Sequence, residues 1–306
     1  MRKIIIDTDT ASDDSVAIIM ALRSDKIKVE ALTVVAGNVP IDIAVNNALV
    51  SVQVANTYDV PVYAGASKPL VKDLETGQFA HGQNGMGEHV LPVAKKVAQT
   101  THAVDAMVKL IKSNPHEIDL MAIGPLTNVA LAIQKAPEVM KLVKGVYIMG
   151  GNGFGEGNMT DYAEYNYYVD AEAVKIVSEF YEEIVLLPWN TCDEGVRLNQ
   201  TDIDRILALN TNIGQFIIDI QASLLKMAKD WGNEPGFVIA DAGVSAILID
   251  ESIALEYEYA YLDVEIENTE KYGMQYVRED KVVNNYKVCT KFDNQKFMDL
   301  LIKLIS

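Results

Sequence analysis

What this 306-residue chain has little of narrows its reading before any motif does. Cysteine occurs twice, at Cys192 and Cys289, too sparse and scattered for a disulfide framework or a thiolate zinc site. Positive charge is in deficit: 26 Lys and Arg against 43 Asp and Glu leave a formal charge of −17. That balance argues against nucleic acid or an anionic membrane as the main partner and suits a site that concentrates a divalent cation. No apolar run approaches membrane-spanning length, and Met1-Arg2-Lys3 leads straight into a strand pattern with no room for a signal peptide. The expected compartment is therefore a reducing cytoplasm. Linkers, low-complexity tracts and internal repeats are missing as well, so one domain over 1–306 is expected. With 49% apolar and 23% charged residues, the chain has the composition of an ordinary globular protein large enough to bury a substantial core.

What is present is concentrated at the start. Ile4, Ile5 and Ile6 run into Asp7, Asp9, Asp13 and Asp14, and an apolar helical pattern follows from Val16 to Leu22. Two unit charges about 4 Å apart repel by ~1 kcal/mol in water and ~4 kcal/mol at the effective dielectric of a protein site. A buried strand ending in such a cluster is costly to fold without a cation. Hard oxygen donors with no His or Cys among them point to Ca²⁺ or Mg²⁺ rather than zinc. A helix cap at Asp13 or Asp14 accounts for one carboxylate or two, not four.

The first two-thirds alternates short apolar runs with amphipathic patterns, which predicts βα units around a mostly parallel sheet. Candidate strands fall at 3–7, 29–35, 62–63, 118–123, 145–149 and 184–188, and helices at 14–23, 41–58, 101–112, 126–135 and 171–180. Further on, helices are expected at 201–209, 213–230 and 241–248, then strand-like alternation over 255–292 and a closing helix near 295–305. In open parallel sheets ligands bind beyond the carboxyl ends of the strands. Here those ends carry the Asp cluster, Gly37-Asn38, a Gly-Pro-Leu-Thr-Asn run at 124–128 and a glycine-rich run at 150–157. Four sequence-distant segments thus converge on one edge.

The glycine-rich run does not fit a dinucleotide or phosphate fingerprint and reads as a flexible loop over a cleft. Beyond it, Asn158, Glu164 and Asn166 stand among tyrosines; amides with a carboxylate suit a ligand rich in hydroxyls, each of which needs a donor and an acceptor. His81-Gly82-Gln83-Asn84-Gly85 lies in a polar stretch between Lys72 and His89, read as a loop, whereas His89, His102 and His116 read as structural. Asp241 opens a late helix, either as its N-cap or as a distant carboxylate for the cation.

Taken in order, these segments resemble the inosine–uridine-preferring nucleoside hydrolase family. The family's Asp-x-Asp-x-x-x-Asp-Asp opening is matched by Asp7, Asp9, Asp13 and Asp14. Gly37-Asn38, the 64–70 segment, His81–Gly85, Gly124–Asn128 and the set Asn158, Glu164, Asn166 follow in the family's sequence. The resemblance runs from the first strand to Asp241 and into the strand-rich tail. It implies an open, mostly parallel, doubly wound Rossmann-like α/β sheet with Ca²⁺ at its carboxyl edge. By position, Asp9, Asp14, Asp241 and the carbonyl of Ile123 would hold the ion. Asp13, Asn38, Asn158, Glu164 and Asn166 would grip the ribose, with His81 beside them. Asp9 would be the general base for hydrolysis of a ribonucleoside in salvage, in a homodimer or homotetramer. The chain departs from the family where many members carry His and a purine-selective group Trp: here Ala240 precedes the late Asp and can neither protonate nor stack on the departing base. Trp231, Tyr162 and Phe237 are the candidates for stacking.

Three other readings stand beside this one. Room at Ala240 suits a modified base such as a deazapurine. A haloacid-dehalogenase-like, Mg²⁺-dependent phosphatase also opens with strand-Asp-x-Asp, but Ala11 and the adjacent acids Asp13-Asp14 are foreign to it. A non-catalytic nucleoside or ribose sensor would have no need of the base Asp9.

Overall fold

The three isoleucines that open the chain divide between two cores. In the computed structural model, which describes residues 1–230 and 235–306, Ile4 and Ile6 of strand β1 (Arg2–Thr8) pack into one core and Ile5 into the other. Side chains alternate across a strand, so a strand covered on both faces reads as an unbroken apolar run. From β1 the chain passes through α1 (Ser12–Arg23), β2 (Ile27–Val34), α2 (Ile41–Ala55), β3 (Val62–Ala64), α3 (Gln78–His81) and α4 (Ala103–Ser113). It continues as β4 (Ile118–Ala122), α5 (Thr127–Lys135), α6 (Pro137–Met140), β5 (Gly145–Met149), α7 (Tyr165–Val169), α8 (Ala171–Phe180) and β6 (Ile184–Leu187). Next come α9 (Trp189–Gly195), β7 (Arg197–Asn199), α10 (Gln200–Ala208), α11 (Asn212–Asp219), α12 (Ala222–Asp230), β8 (Gly236–Val238) and α13 (Ala240–Ile249). Strands β9 (Ala254–Ala260), β10 (Leu262–Val264), β11 (Gln275–Val277) and β12 (Tyr286–Phe292) precede the closing helix α14 (Asn294–Ile305).

Eight strands form one sheet in the order β3-β2-β1-β4-β5-β6-β12-β9, parallel throughout except for the antiparallel edge strand β9. Helices α1, α2, α13 and α14 cover one face and α4, α5 and α8 the other. This is the expected doubly wound arrangement. Strand order reverses between β1 and β4, the switch point at which such sheets bind ligands. Ile123, just past β4, donates its N–H to the Asp7 carbonyl at 2.8 Å and ties the two carboxyl ends together. All ten residues of α13 are buried, and it is anchored to α1 by Ser245 Oγ donating to the Ala17 carbonyl at 2.8 Å.

The sequence expectations need correction in several places. The helix expected over 213–230 is two, α11 and α12, because buried Gln221 turns inward at the break and donates Nε2 to the Ser12 carbonyl at 3.1 Å. The helix expected to reach 58 stops at Ala55, where Asn56 adopts a left-handed conformation that ends a helix. The 72–89 stretch holds a short helix, α3, rather than loop throughout. Phe237 belongs to a two-stranded ribbon, β7 with β8, too short to show a period in sequence. Asp241 is not the N-cap of α13; Ile239 is, and Asp241 sits inside the first turn. Among the described residues no helix is long and apolar enough to cross a membrane.

Candidate active site

The turn from β1 into α1 uses up one of the four leading carboxylates. Asp14 accepts Thr8 Oγ1 on Oδ1 at 2.5 Å and the Ala11 N–H on Oδ2 at 2.9 Å, closing the first turn of α1. Asp7 is likewise committed, accepting Thr33 Oγ1 at 2.6 Å and Asn128 Nδ2 at 3.0 Å on Oδ1. Asp7 Oδ2 is left buried and unpaired, and so are Oδ1 of Asp9 and Oδ1 of Asp13. Asp9 Oδ2 accepts the Asn38 N–H at 2.6 Å. Glycine is required on both sides of Asp9: a Cβ at Gly37 would lie 2.1 Å from Asp9 Oδ2, and one at Gly124 2.8 Å from Asp9 Oδ1.

Asp241 reaches the same place from α13. One carboxylate oxygen each of Asp13, Asp14 and Asp241 lie within 4.8 Å of one another, with Asp9 close enough to interact with all three. Burial, and then the neighbouring Asp14, pushes Asp9 well above the ordinary carboxylate range; burial, and then Asp13, does the same to Asp241. Burial lifts Asp13 and Asp14 to about 6. No Lys or Arg offsets this charge among the described ion pairs of these four residues. Unpaired buried oxygens, an all-oxygen donor set and concentrated negative charge fit a hard cation. The Ile123 carbonyl, the other expected ligand, accepts Asn166 Nδ2 at 3.3 Å.

Glu164 is the N-cap of α7. It accepts the Asn166 N–H at 2.9 Å on Oε1, and on Oε2 the N–H groups of Gly151 at 2.7 Å and Tyr167 at 3.2 Å. Burial nevertheless raises it to about 7. Asn158 Oδ1 accepts the Tyr165 N–H at 2.8 Å. The glycine-rich run is not the cleft cover expected. Gln275 of β11 pins it: Gln275 Oε1 accepts the Gly153 N–H at 3.1 Å, and the Gln275 N–H donates to Asn152 Oδ1 at 2.7 Å. Gln275, which sequence reading missed, therefore supports the loop that positions Glu164.

Above the acidic cluster opens a cavity of about 270 Å³. Asp13, Asn38, His81, Ile123, Asn158, Glu164, Asn166 and Asp241 all line it, eight of the ten residues singled out in the sequence. Asp9 and Asp14 lie fully buried beneath. His81 is not a surface loop residue: its Nδ1 lies 2.9 Å from Ser12 Oγ and 3.9 Å from Asp13 Oδ1, and burial lowers it to about 4. The outer wall is apolar, with Phe79, Trp189, Met227 and Phe237, and Ala240 sits in it 3% exposed. Of the expected stacking residues Phe237 is here, Tyr162 is not among the lining residues, and Trp231 lies outside the described residues. Phe79, Trp189 and Arg197 also line the cavity and were not foreseen, since each stands singly among residues with no pattern.

A family model for inosine-uridine preferring nucleoside hydrolases matches residues 4–299. A pyrimidine-specific ribonucleoside hydrolase of Salmonella arizonae is 33% identical over 97% of this chain and 96% of its own length. The inosine-uridine preferring nucleoside hydrolase of Crithidia fasciculata is 30% identical over 98% of this chain and 96% of its own. A solved purine-preferring ribonucleoside hydrolase from Gardnerella vaginalis superposes with a TM-score of 0.92 at 26% identity, covering 99% of this chain and 98% of that one. These matches leave no room for the phosphatase or for a mere sensor. An acid-floored cavity at the switch point of this sheet and a match along nearly the whole chain lead to one assignment: the chain belongs to the inosine-uridine preferring nucleoside hydrolase family and is a ribonucleoside N-glycosidase.

Proposed function

We propose that the enzyme is calcium-dependent and releases ribose and free base for nucleoside salvage in the cytoplasm, as a homodimer or homotetramer. The observation that carries the calcium is the set of buried, uncompensated carboxylates flooring the cavity. Asp9, Asp14, Asp241 and the Ile123 carbonyl would hold the ion. When bound, calcium supplies the positive charge that acidifies a water and anchors ribose hydroxyls. Asp9 accepts the proton of the attacking water, for which its unpaired Oδ1 is the available atom. As the N-ribosyl bond stretches, positive charge grows at C1′, and the carboxylates of Asp13 and Glu164 stabilise it from fixed positions. Asn38, Asn158 and Asn166 offer amide donors and acceptors to the ribose hydroxyls, and the apolar outer wall takes the base. His81 flanks the ribose side through Ser12 and Asp13.

The relatives' names divide between pyrimidine and purine, so the base preference of this chain rests on its own wall. A second reading, a bulkier modified base such as a deazapurine, is favoured by the small Ala240 in that wall. One experiment tests both: ribose release from a panel of common and modified nucleosides, with chelator and after calcium is restored. Release that vanishes with chelator and returns with calcium is expected. Undiminished release in chelator would remove calcium from the mechanism, and faster turnover of common nucleosides than of any modified one would remove the second reading.

A further inference from the structure

The cavity has carboxylates at its floor and, at its rim, a guanidinium that is paired with Asp193. Asp13 and Asp241 are 13% and 2% exposed at the floor, while Arg197 at the rim is 49% exposed. Among the described residues Arg197 is the one Lys or Arg that lines the cavity, and His81 is held neutral by burial. Arg197 is placed by the β7–β8 ribbon, opposite Val238, and the Ile239 N–H donates to the Val196 carbonyl at 3.4 Å. That pairing sets Arg197 beside the segment that runs directly into Ala240. Asp193 orients the guanidinium from α9, accepting Nε on its carbonyl at 3.2 Å and Nη2 on its carboxylate. Nη1 has no hydrogen-bond acceptor among the described residues.

We propose that Arg197 determines specificity by receiving the departing base, stabilising the negative charge that Ala240 cannot neutralise. The proposal rests on the N-ribosidase reading above. In the step concerned, water oxygen bonds to C1′ and its proton passes to Asp9. The C1′–N bond breaks with its electron pair on the base, which solvent then protonates. A dissociating nucleoside thus becomes positive at the sugar and negative at the base, and the cavity sets carboxylates at one end and the Arg197 guanidinium, shared with Asp193, at the other. Fixed charges matched to the transition state lower the barrier more than they favour the neutral substrate. A guanidinium only donates hydrogen bonds and does not give up its proton, so the help is electrostatic rather than acid catalysis. It follows that Arg197 favours bases presenting acceptors: the carbonyl oxygens of uracil, or the paired oxygen and ring nitrogen of hypoxanthine, over adenine with its exocyclic amine.

The test compares wild type, Arg197→Ala and Arg197→Lys on uridine, inosine, adenosine and p-nitrophenyl riboside. The alanine variant should lose ~10²-fold in kcat/KM on uridine and inosine. On p-nitrophenyl riboside, whose leaving group is already a stable anion, it should lose little, and the inosine-to-adenosine ratio should shrink. Lysine should restore part of the rate, because it restores the charge without the fork. Equal losses on all four substrates, or no loss on any, would overturn the role of Arg197. Those outcomes leave the ribosidase reading intact as long as wild type cleaves the riboside, whereas a wild type that releases ribose from none of the four would sink both.

Discussion

Asp9 is wholly enclosed like Asp14, but one of its oxygens is held by a backbone N–H and the other is left bare. An amide in its place keeps the shape but cannot take up a proton. Asp9→Asn should therefore lower kcat by ~10²–10⁴-fold, the usual worth of a general base, while the nucleoside still binds. Rapid-quench measurement of ribose formed in the first turnover checks this, and a first turnover as fast as wild type would assign the base elsewhere. The residues around Asp9 were legible in sequence because carboxylates crowded after an apolar strand make little sense without a ligand. Arg197, Phe79 and Trp189 were not: their meaning comes from the ribbon and short helices that turn them into the cavity, and single residues carry no spacing. Asp14 shows the reverse: it is not the N-cap of α1, which is Ala11, but sits at the third helical position and accepts the Ala11 N–H even as it shares the acidic cluster.

At the scale of elements, the supports of the site are as specific as its walls. Strand β11 contributes Gln275, whose clamp on Gly153 and Asn152 holds the loop from which the Gly151 N–H reaches Glu164. Gln275→Ala should loosen that loop and weaken ribose recognition in the transition state. We expect kcat to fall ~10-fold or more, with a melting temperature lowered by only a few degrees. A change confined to melting temperature would reduce Gln275 to a packing residue. The parallel strands were readable because burial on both faces leaves runs such as Ile4-Ile5-Ile6 without alternation. The break between α11 and α12 was not, because apolar periodicity continues through Ile220 and only the fold reveals where Gln221 must go. Strands β7 and β8, of three residues each, fall below the length at which any period can be seen.

For the molecule as a whole, the acidic site makes stability depend on pH in an uncommon direction. Burial raises Asp13 and Asp14 to about 6 and Asp7 and Glu164 to about 7, above their ordinary values. The folded, metal-free chain therefore binds these protons more tightly than the unfolded one, and stability falls as pH rises from about 4 through about 7. Carboxylates lowered by ion pairs, such as Asp280 at about 2, act only at more acid pH, while His81, lowered by burial to about 4, opposes the trend in the same range as one group against four. In chelator the melting temperature should thus be higher near pH 5 than near pH 8. Calcium, taking the place of the protons, should raise the value at pH 8 most. Melting curves across that range check both points, and a chelated protein more stable at pH 8 would contradict them. The acidic cluster has one more consequence, which concerns time. Asp9, Asp13 and Asp14 are synthesised more than two hundred residues before Asp241. Strand β12, which joins β6 to the edge of the sheet, comes later still. The nascent chain must carry three clustered acids without their fourth companion until Asp241 is made, so a hard cation bound there would fasten segments synthesised far apart in time.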